Sequence, residues 1–247
     1  MTRTRLDQLL VSRGLAASRE RAQALVIGNH VTVNGVAVTK AGAQVNDGDD
    51  VQLKTPDHPW VSRGGLKLVR ALDAFAIDVT GALALDIGAS TGGFTDVLLH
   101  HGAARVIAID VGHNQIDWKL RQDPRVVVRE GLNARYLTLE DLPDDARAFD
   151  IATIDVSFIS LAHILPVVPQ LLTPAGRVVA LVKPQFEAGR DDVGKGGIVR
   201  DPAIHARVVA EVTRAAAEVG LIRLGLEPSP IEGAEGNREF LLCLALG

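Results

Sequence analysis

The chain of 247 residues has room for one α/β domain plus a small appendage. Its composition, 47% apolar and 23% charged, is that of a globular protein, and a net charge of −4 excludes a wholly basic nucleic-acid coat but not a local basic face. A single cysteine, Cys243, excludes an internal disulfide and points to a reducing, cytoplasmic setting, while the charged start MTRTRLDQLL and the lack of any run of ~18–20 apolar residues argue against a signal peptide and a membrane span.

Residues 1–54 read as a unit of their own. Leu6, Leu9 and Leu10 mark a short helix ending at Gly14, a natural left-handed cap. Ser18 is placed to cap a second helix, RERAQALVI, that stops at Gly28. Asn34-Gly35, between His30–Val33 and Val36–Val38, is a two-residue hairpin signal, and Asp50–Leu53 adds a strand. Residues 55–61, opening TPDHPW, form a linker. A piece of ~55 residues has a thin core and is marginal alone. Within residues 1–30, Arg3 together with Arg5, Arg13, Arg19 and Arg21 outweighs Asp7 and Glu20; the last four arginines form either a solvated face or a phosphate-binding one. Residues 4–53, with their leucine run, SRERAQALVI helix, VTVNG hairpin and late DGD, resemble an S4 domain, a small RNA-binding module, and that resemblance implies that these four arginines contact RNA.

Residues 62–247 alternate strand and helix. An apolar helix over Gly65–Phe75 precedes strands at Ala82–Asp86, Arg105–Asp110, Arg125–Arg129, Phe149–Asp155 and Arg177–Val182. Gly92–His101 is helical, a helix begins at Asp201-Pro202 and runs to about Gly220, and strands near Ile222–Pro228 and Glu239–Ala245 close the chain. Near-continuous apolar strands alternating with helices predict a mostly parallel sheet covered on both faces, an α/β fold. Cys243, within LLCLAL, is expected to be an inert core residue, and the adjacent His100 and His101 suggest helix-end residues, with no metal site.

Ligands of such sheets bind beyond the carboxyl ends of the strands. Asp86–Phe94 reads DIGASTGGF, with Gly88, Ser90 and Gly93 where a dinucleotide fingerprint would want three glycines. The missing middle glycine removes the close approach a pyrophosphate uses, so a nucleoside without phosphates fits, which points to S-adenosylmethionine, with NAD as the alternative. Asp110, at the second strand end, can accept from both ribose hydroxyls, and Asn133 follows the third strand. The near-miss GRDDVGKG at Gly189–Gly196 lacks the Ser or Thr of a P-loop; residues 187–200 are expected to form a mobile loop at the rim of the site.

Two lysines stand in apolar or glycine-rich settings, Lys67 in VSRGGLKL and Lys183 in VKPQFEAGR. Asp155 and Lys183 end neighbouring strands, and Glu239 begins the last one. A ribose 2′-hydroxyl gives up its proton only to a well-placed base, and a lysine can serve when another cation or burial lowers its pKa. Ordinary surface lysines are the competing reading, weakest for Lys183, which lies between VALV and a proline.

VSRGGLKL, LDIGASTGGFTDVLL, IDVSFISL, LVKPQFEAGR, VGKGGIVRD and EGNREFLL together resemble the TlyA family of rRNA 2′-O-methyltransferases, an S4 domain followed by an FtsJ-like unit, often labelled haemolysins. The resemblance implies a seven-stranded class I methyltransferase sheet and methyl transfer from S-adenosylmethionine to a cytidine ribose in ribosomal RNA, with ribosomal subunits as partners; a monomer is favoured, and the sequence leaves the oligomeric state open. Carried over residue by residue, the reacting set is Lys67, Asp155, Lys183 and Glu239. The cofactor residues are Gly88, Ser90, Thr91, Gly92, Gly93 and Asp110, to which the strand-end readings add Asp86 and Asn133. Family members can carry an arginine-containing linker tetrapeptide; His58-Pro59-Trp60-Val61 has none, so no linker role in cofactor affinity carries over. The alternatives are a non-enzymatic RNA-binding or ribosome-assembly factor and a membrane-lytic protein.

Overall fold

A computed structural model describes residues 3–54, 58–146, 148–233 and 236–247. The linker residues Thr55–Asp57 lie outside the described residues. The chain divides into two units, Met1–Pro59 and Trp60–Gly247.

In the first unit, helices α1 (Leu6–Ser12) and α2 (Arg19–Ile27) pack through Leu6, Leu9, Leu10, Ala22, Leu25 and Val26. Gly14, at φ +68°, closes α1 in the left-handed region, and Ser18 Oγ accepts the Arg21 N–H to start α2. At the end of α2 the left-handed residue is Asn29 (φ +62°) rather than Gly28. A short strand β1 (Arg3–Arg5), which the sequence did not announce, pairs antiparallel with β4 (Gln44–Asn46). Strands β2 (Val31–Val33), β3 (Val36–Ala37) and β5 (Val51–Leu53) make a three-stranded sheet in the order β3-β2-β5. Asn34 and Gly35 both have positive φ, as the two-residue hairpin demands.

The second unit opens with α3 (Gly64–Ala74) and continues with β6 (Leu83–Ile87), α4 (Gly93–His100), β7 (Arg105–Asp110), α5 (Trp118–Gln122), β8 (Val126–Glu130) and β9 (Phe149–Ile154). Then follow β10 (Leu172–Val182), the one-turn helix α6 (Pro184–Glu187), α7 (Pro202–Glu218), β11 (Leu221–Pro228) and β12 (Phe240–Leu246). One sheet takes all seven strands in the order β11-β12-β10-β9-β6-β7-β8, and β12 alone runs antiparallel to its neighbours. Its strands are apolar on both faces because both are covered: Leu85, Ile107, Ile154 and Val178 pack in one cluster, and Ala84, Val106, Ile151 and Val179 in the other. Cys243 sits within β12, buried, and burial pushes its thiol pKa up.

The chain runs outward from β6 through β7 to β8, then returns to lay β9 on the other side of β6. The carboxyl ends of β6 and β9 therefore flank the point where strand order reverses, and open sheets bind ligands there. The Asp155 N–H donates to Ile87 O at 2.9 Å and locks the two ends together.

Candidate active site

Two cavities adjoin at this point, of about 420 and 510 Å³, and both are lined by Gly88, Ser90, Asp155, Ser157 and Phe158. Into the first project two lysine–carboxylate pairs. Lys67, on the buried face of α3, donates from Nζ to Glu239 Oε2 at 2.6 Å; Lys67 is 7% and Glu239 4% exposed. Lys183, following β10, places Nζ 2.6 Å from Asp155 Oδ1 and donates to Ser157 Oγ at 2.9 Å. The approach to Asp155 Oδ1 is too oblique for a hydrogen bond, so that oxygen has a charge partner but no aligned donor. Lys183 is 8% exposed, so neither lysine is an ordinary surface residue. Four side chains from α3 and three strand ends, distant in sequence, thus meet in one cleft.

The second cavity is lined by Asp110, Asn133, Val111, Leu132, Ile159 and Ile164, with no lysine or arginine among the described residues of its wall. Asp110 accepts from the Ser90 N–H at 2.8 Å and the Gly112 N–H at 2.7 Å, which aims the carboxylate and leaves lone pairs for a ligand. Asn133 Oδ1 caps the turn at Ala134–Tyr136. An anchored acid, apolar walls and no cation for phosphate suit an adenosine group, so these residues fit S-adenosylmethionine.

The glycines of the turn answer to the protein's own packing, and Gly88 and Gly93 also line the cleft. A Cβ on Gly88, at φ +83°, would lie 2.5 Å from Asp155 O. One on Gly92 would strike Leu120, and one on Gly93 would strike Ser62 where α3 and α4 meet. Ser90, a non-glycine at φ +48°, is held in the left-handed region at the cavity wall beside Thr91. Gly92 lines neither cavity.

Asp86 departs from expectation. It is fully buried, accepting from Thr95 Oγ1 at 2.7 Å and Thr153 Oγ1 at 2.9 Å, and it lines neither cavity. Burial without a cation raises its carboxyl to about 6, so it supports the turn from below instead of touching a cofactor. Within residues 187–200, expected to form a mobile loop, Glu187 ends α6 and is partly buried, Arg190–Asp192 form a helical turn, and Gly194 bridges Ile198. His100 and His101 gather with Trp60, whose ring is 5.1 and 6.3 Å from theirs.

Ser157, Phe158, Gln185 and Phe186 line the first cavity without having been singled out. Phe158 is 91% exposed and its ring lies 5.1 Å from that of Phe186. Gln185 Oε1 is buried with no hydrogen-bond partner. A signal was present: Asp155 and Lys183 are each followed three residues later by a phenylalanine, in a chain with only six.

In the first unit the four arginines are engaged within it. Asp7, fully buried, accepts from Arg5 Nε and Nη2 at 3.0 and 2.9 Å, from Arg19 Nε at 3.2 Å and from Gln23 Nε2 at 2.9 Å. The Arg5 guanidinium foremost holds the Asp7 carboxyl well below the usual carboxylate range. Arg13 donates to the Asp47 and Asp49 carbonyls, and Arg21 Nη2 to His58 O at 3.4 Å. Side chains of Arg5 and Arg19 remain 39% and 54% exposed.

The strand order, with one antiparallel strand and a cleft at the reversal point, defines a class I methyltransferase. Residues 60–246 match the FtsJ-like methyltransferase family and residues 4–51 the S4 domain. The chain is similar to a Bacillus subtilis (strain 168) protein provisionally called the rRNA methyltransferase YqxC, with 51% identity over 97% of this chain and 85% of that one. It is similar to the Mycobacterium tuberculosis 16S/23S rRNA (cytidine-2′-O)-methyltransferase TlyA, with 48% identity over 98% and 90%. A solved structure from Streptococcus thermophilus, labelled a hemolysin, superposes at a TM-score of 0.78 with 47% identity, over 100% of this chain and 89% of that one. The chain belongs to the FtsJ-like methyltransferase family, among members that carry an S4 domain ahead of the catalytic unit, and it is an enzyme.

Proposed function

We propose that this protein methylates the ribose 2′-hydroxyl of a cytidine in ribosomal RNA, using S-adenosylmethionine. The observation that carries the reading is the meeting of two lysine–carboxylate pairs, each 2.6 Å and each with its lysine buried, in a cleft that adjoins the cavity lined by Asp110 and Asn133. The relatives' printed names supply the substrate class.

Asp110, Asn133, Ser90 and the Gly88–Gly93 turn hold the cofactor. S-adenosylmethionine, when bound, supplies an electrophilic methyl group. Lys183 Nζ, once it has released a proton to solvent and is a neutral amine, accepts the proton of the 2′-hydroxyl as that oxygen bonds to the methyl carbon, and Asp155 orients the amine. Lys67, held by Glu239, donates to the hydroxyl oxygen and aligns it. Positioning of this kind accounts for much of the rate in a transfer that needs little covalent help from the protein. The target nucleotide is turned out of its stack to enter the cleft. Arg5, Arg13, Arg19 and Arg21 of the S4 unit meet RNA phosphates.

The test is methyl transfer from labelled cofactor to ribosomal subunits, with the modified nucleotides mapped as 2′-O-methyls. Lys183→Ala should abolish transfer and keep cofactor binding; normal turnover by that variant sinks the assignment of the base. No helix among the described residues is long and apolar enough to cross a membrane. Cofactor-independent leakage of liposomes by the purified protein would favour the lytic reading instead.

A further inference from the structure

The loop that follows β9 and the helix that follows β10 are fastened side by side at three successive points. Lys183 Nζ donates to Ser157 Oγ at 2.9 Å. The rings of Phe158 and Phe186 meet at 5.1 Å. Finally, the Glu187 carboxylate accepts from Ser160 Oγ at 2.6 Å and from the Leu161 N–H at 2.8 Å. The partners advance together along both segments, so the contacts form one seam, with Asp155 and Lys183 at its open end.

Glu187 is the far anchor of this seam. It lines a separate cavity of about 250 Å³ with Ser160, Glu211 and Arg214, and is absent from the walls of both cleft cavities. It is partly buried, and burial raises its carboxyl pKa, yet both oxygens are used by the loop. The loop needs holding: Phe158 sits at φ +64°, a left-handed conformation disfavoured for a bulky residue. A partly buried acid with two loop donors supplies that constraint from outside the cleft cavities.

We propose that Glu187 is a positioning residue for methyl transfer, fastening the Asp155 loop to the helix after Lys183 so that the Asp155–Lys183 pair keeps its geometry. The proposal rests on the reading of that pair as the reacting one. Displacements of ~1 Å at reacting groups cost up to about 100-fold in rate. Glu187→Ala is therefore expected to lower kcat by about 10- to 100-fold, with KM for RNA and cofactor affinity within about twofold of the parent's. Glu187→Gln should recover most of the loss, because an amide still accepts from Leu161 N–H and can donate to Ser160 Oγ.

The experiment measures kcat, KM and calorimetric cofactor affinity on the full chain, together with melting temperature. Unchanged kcat in Glu187→Ala overturns the proposal. So does a Gln variant as slow as the Ala variant, or a rate loss matched by lost cofactor binding. If Glu187→Ala does not fold, Ser160→Ala, which removes one of the two bonds, carries the same comparison: a kcat loss at unchanged KM supports the seam, and a parental kcat overturns it. Lys183→Ala separates the two levels. If it is inactive while Glu187→Ala is normal, this proposal alone fails; if it is active, the underlying reading fails first.

Discussion

Asp86 carries the sharpest consequence at the scale of single residues. An acid at a strand end beside a glycine turn reads as a ligand contact, but Thr95 and Thr153, respectively 9 and 67 positions away, close over it. No local pattern announces the second of those partners. Its carboxyl is raised from the usual 3.8 to about 6, so the folded chain holds the proton more tightly than the unfolded one. Stability from this group is therefore present at low pH and lost as pH rises through about 4 to 6. Asp86→Asn should flatten that part of the melting profile and raise stability at pH 7 by on the order of 2–3 kcal/mol, read as the difference between variant and parent melting curves. A variant with the parental pH slope would refute the argument.

Between elements, the decisive contact is the one joining the ends of β6 and β9. The sequence made both strand ends legible, because apolar runs stop at DIG and IDV, and the glycines marked a tight turn. Their reason was not legible. Gly88 is required by the Asp155 carbonyl from another strand, a crossing that only sheet order creates. Gly88→Ala combines a φ of +83° with a Cβ 2.5 Å from that carbonyl. It should lower stability by roughly 1–3 kcal/mol and reduce turnover more than tenfold, since Asp155 must yield; melting and single-turnover assays read the two effects separately. The Glu187 seam belongs to the same class of feature. Both its segments were visible as motifs, but their pairing follows from β9 and β10 lying side by side.

Taken over the whole molecule, two units of different sturdiness share one chain. The larger holds a sheet buried on both faces; the smaller relies on a few aliphatic residues and on Asp7, which gathers Arg5, Arg19 and Gln23. The lowered Asp7 pKa means that its stabilisation is present above about pH 4 and fades as the pH falls below that. Asp7→Asn should cost the smaller unit roughly 1–3 kcal/mol and weaken RNA binding by releasing two arginines, while cofactor affinity stays unchanged. Hydrogen exchange and a salt titration of RNA binding measure these outcomes.

Residue order by itself determined the α/β alternation, the two-unit division of motifs, and Asp155 and Lys183 at strand ends, because periodicity, capping chemistry and a lysine in an apolar run are local signals; Lys67 and Glu239 joined them through the motifs that carry the family resemblance. Only the tertiary structure decided how those four divide into two ion pairs, that Asp86 and the glycines meet the protein's own packing, that Ser157 and Gln185 line the cleft beside Asp155 and Lys183, and that Glu187 ties the two segments together beyond it. Each of these depends on contacts between segments far apart in sequence, which strand order and burial create.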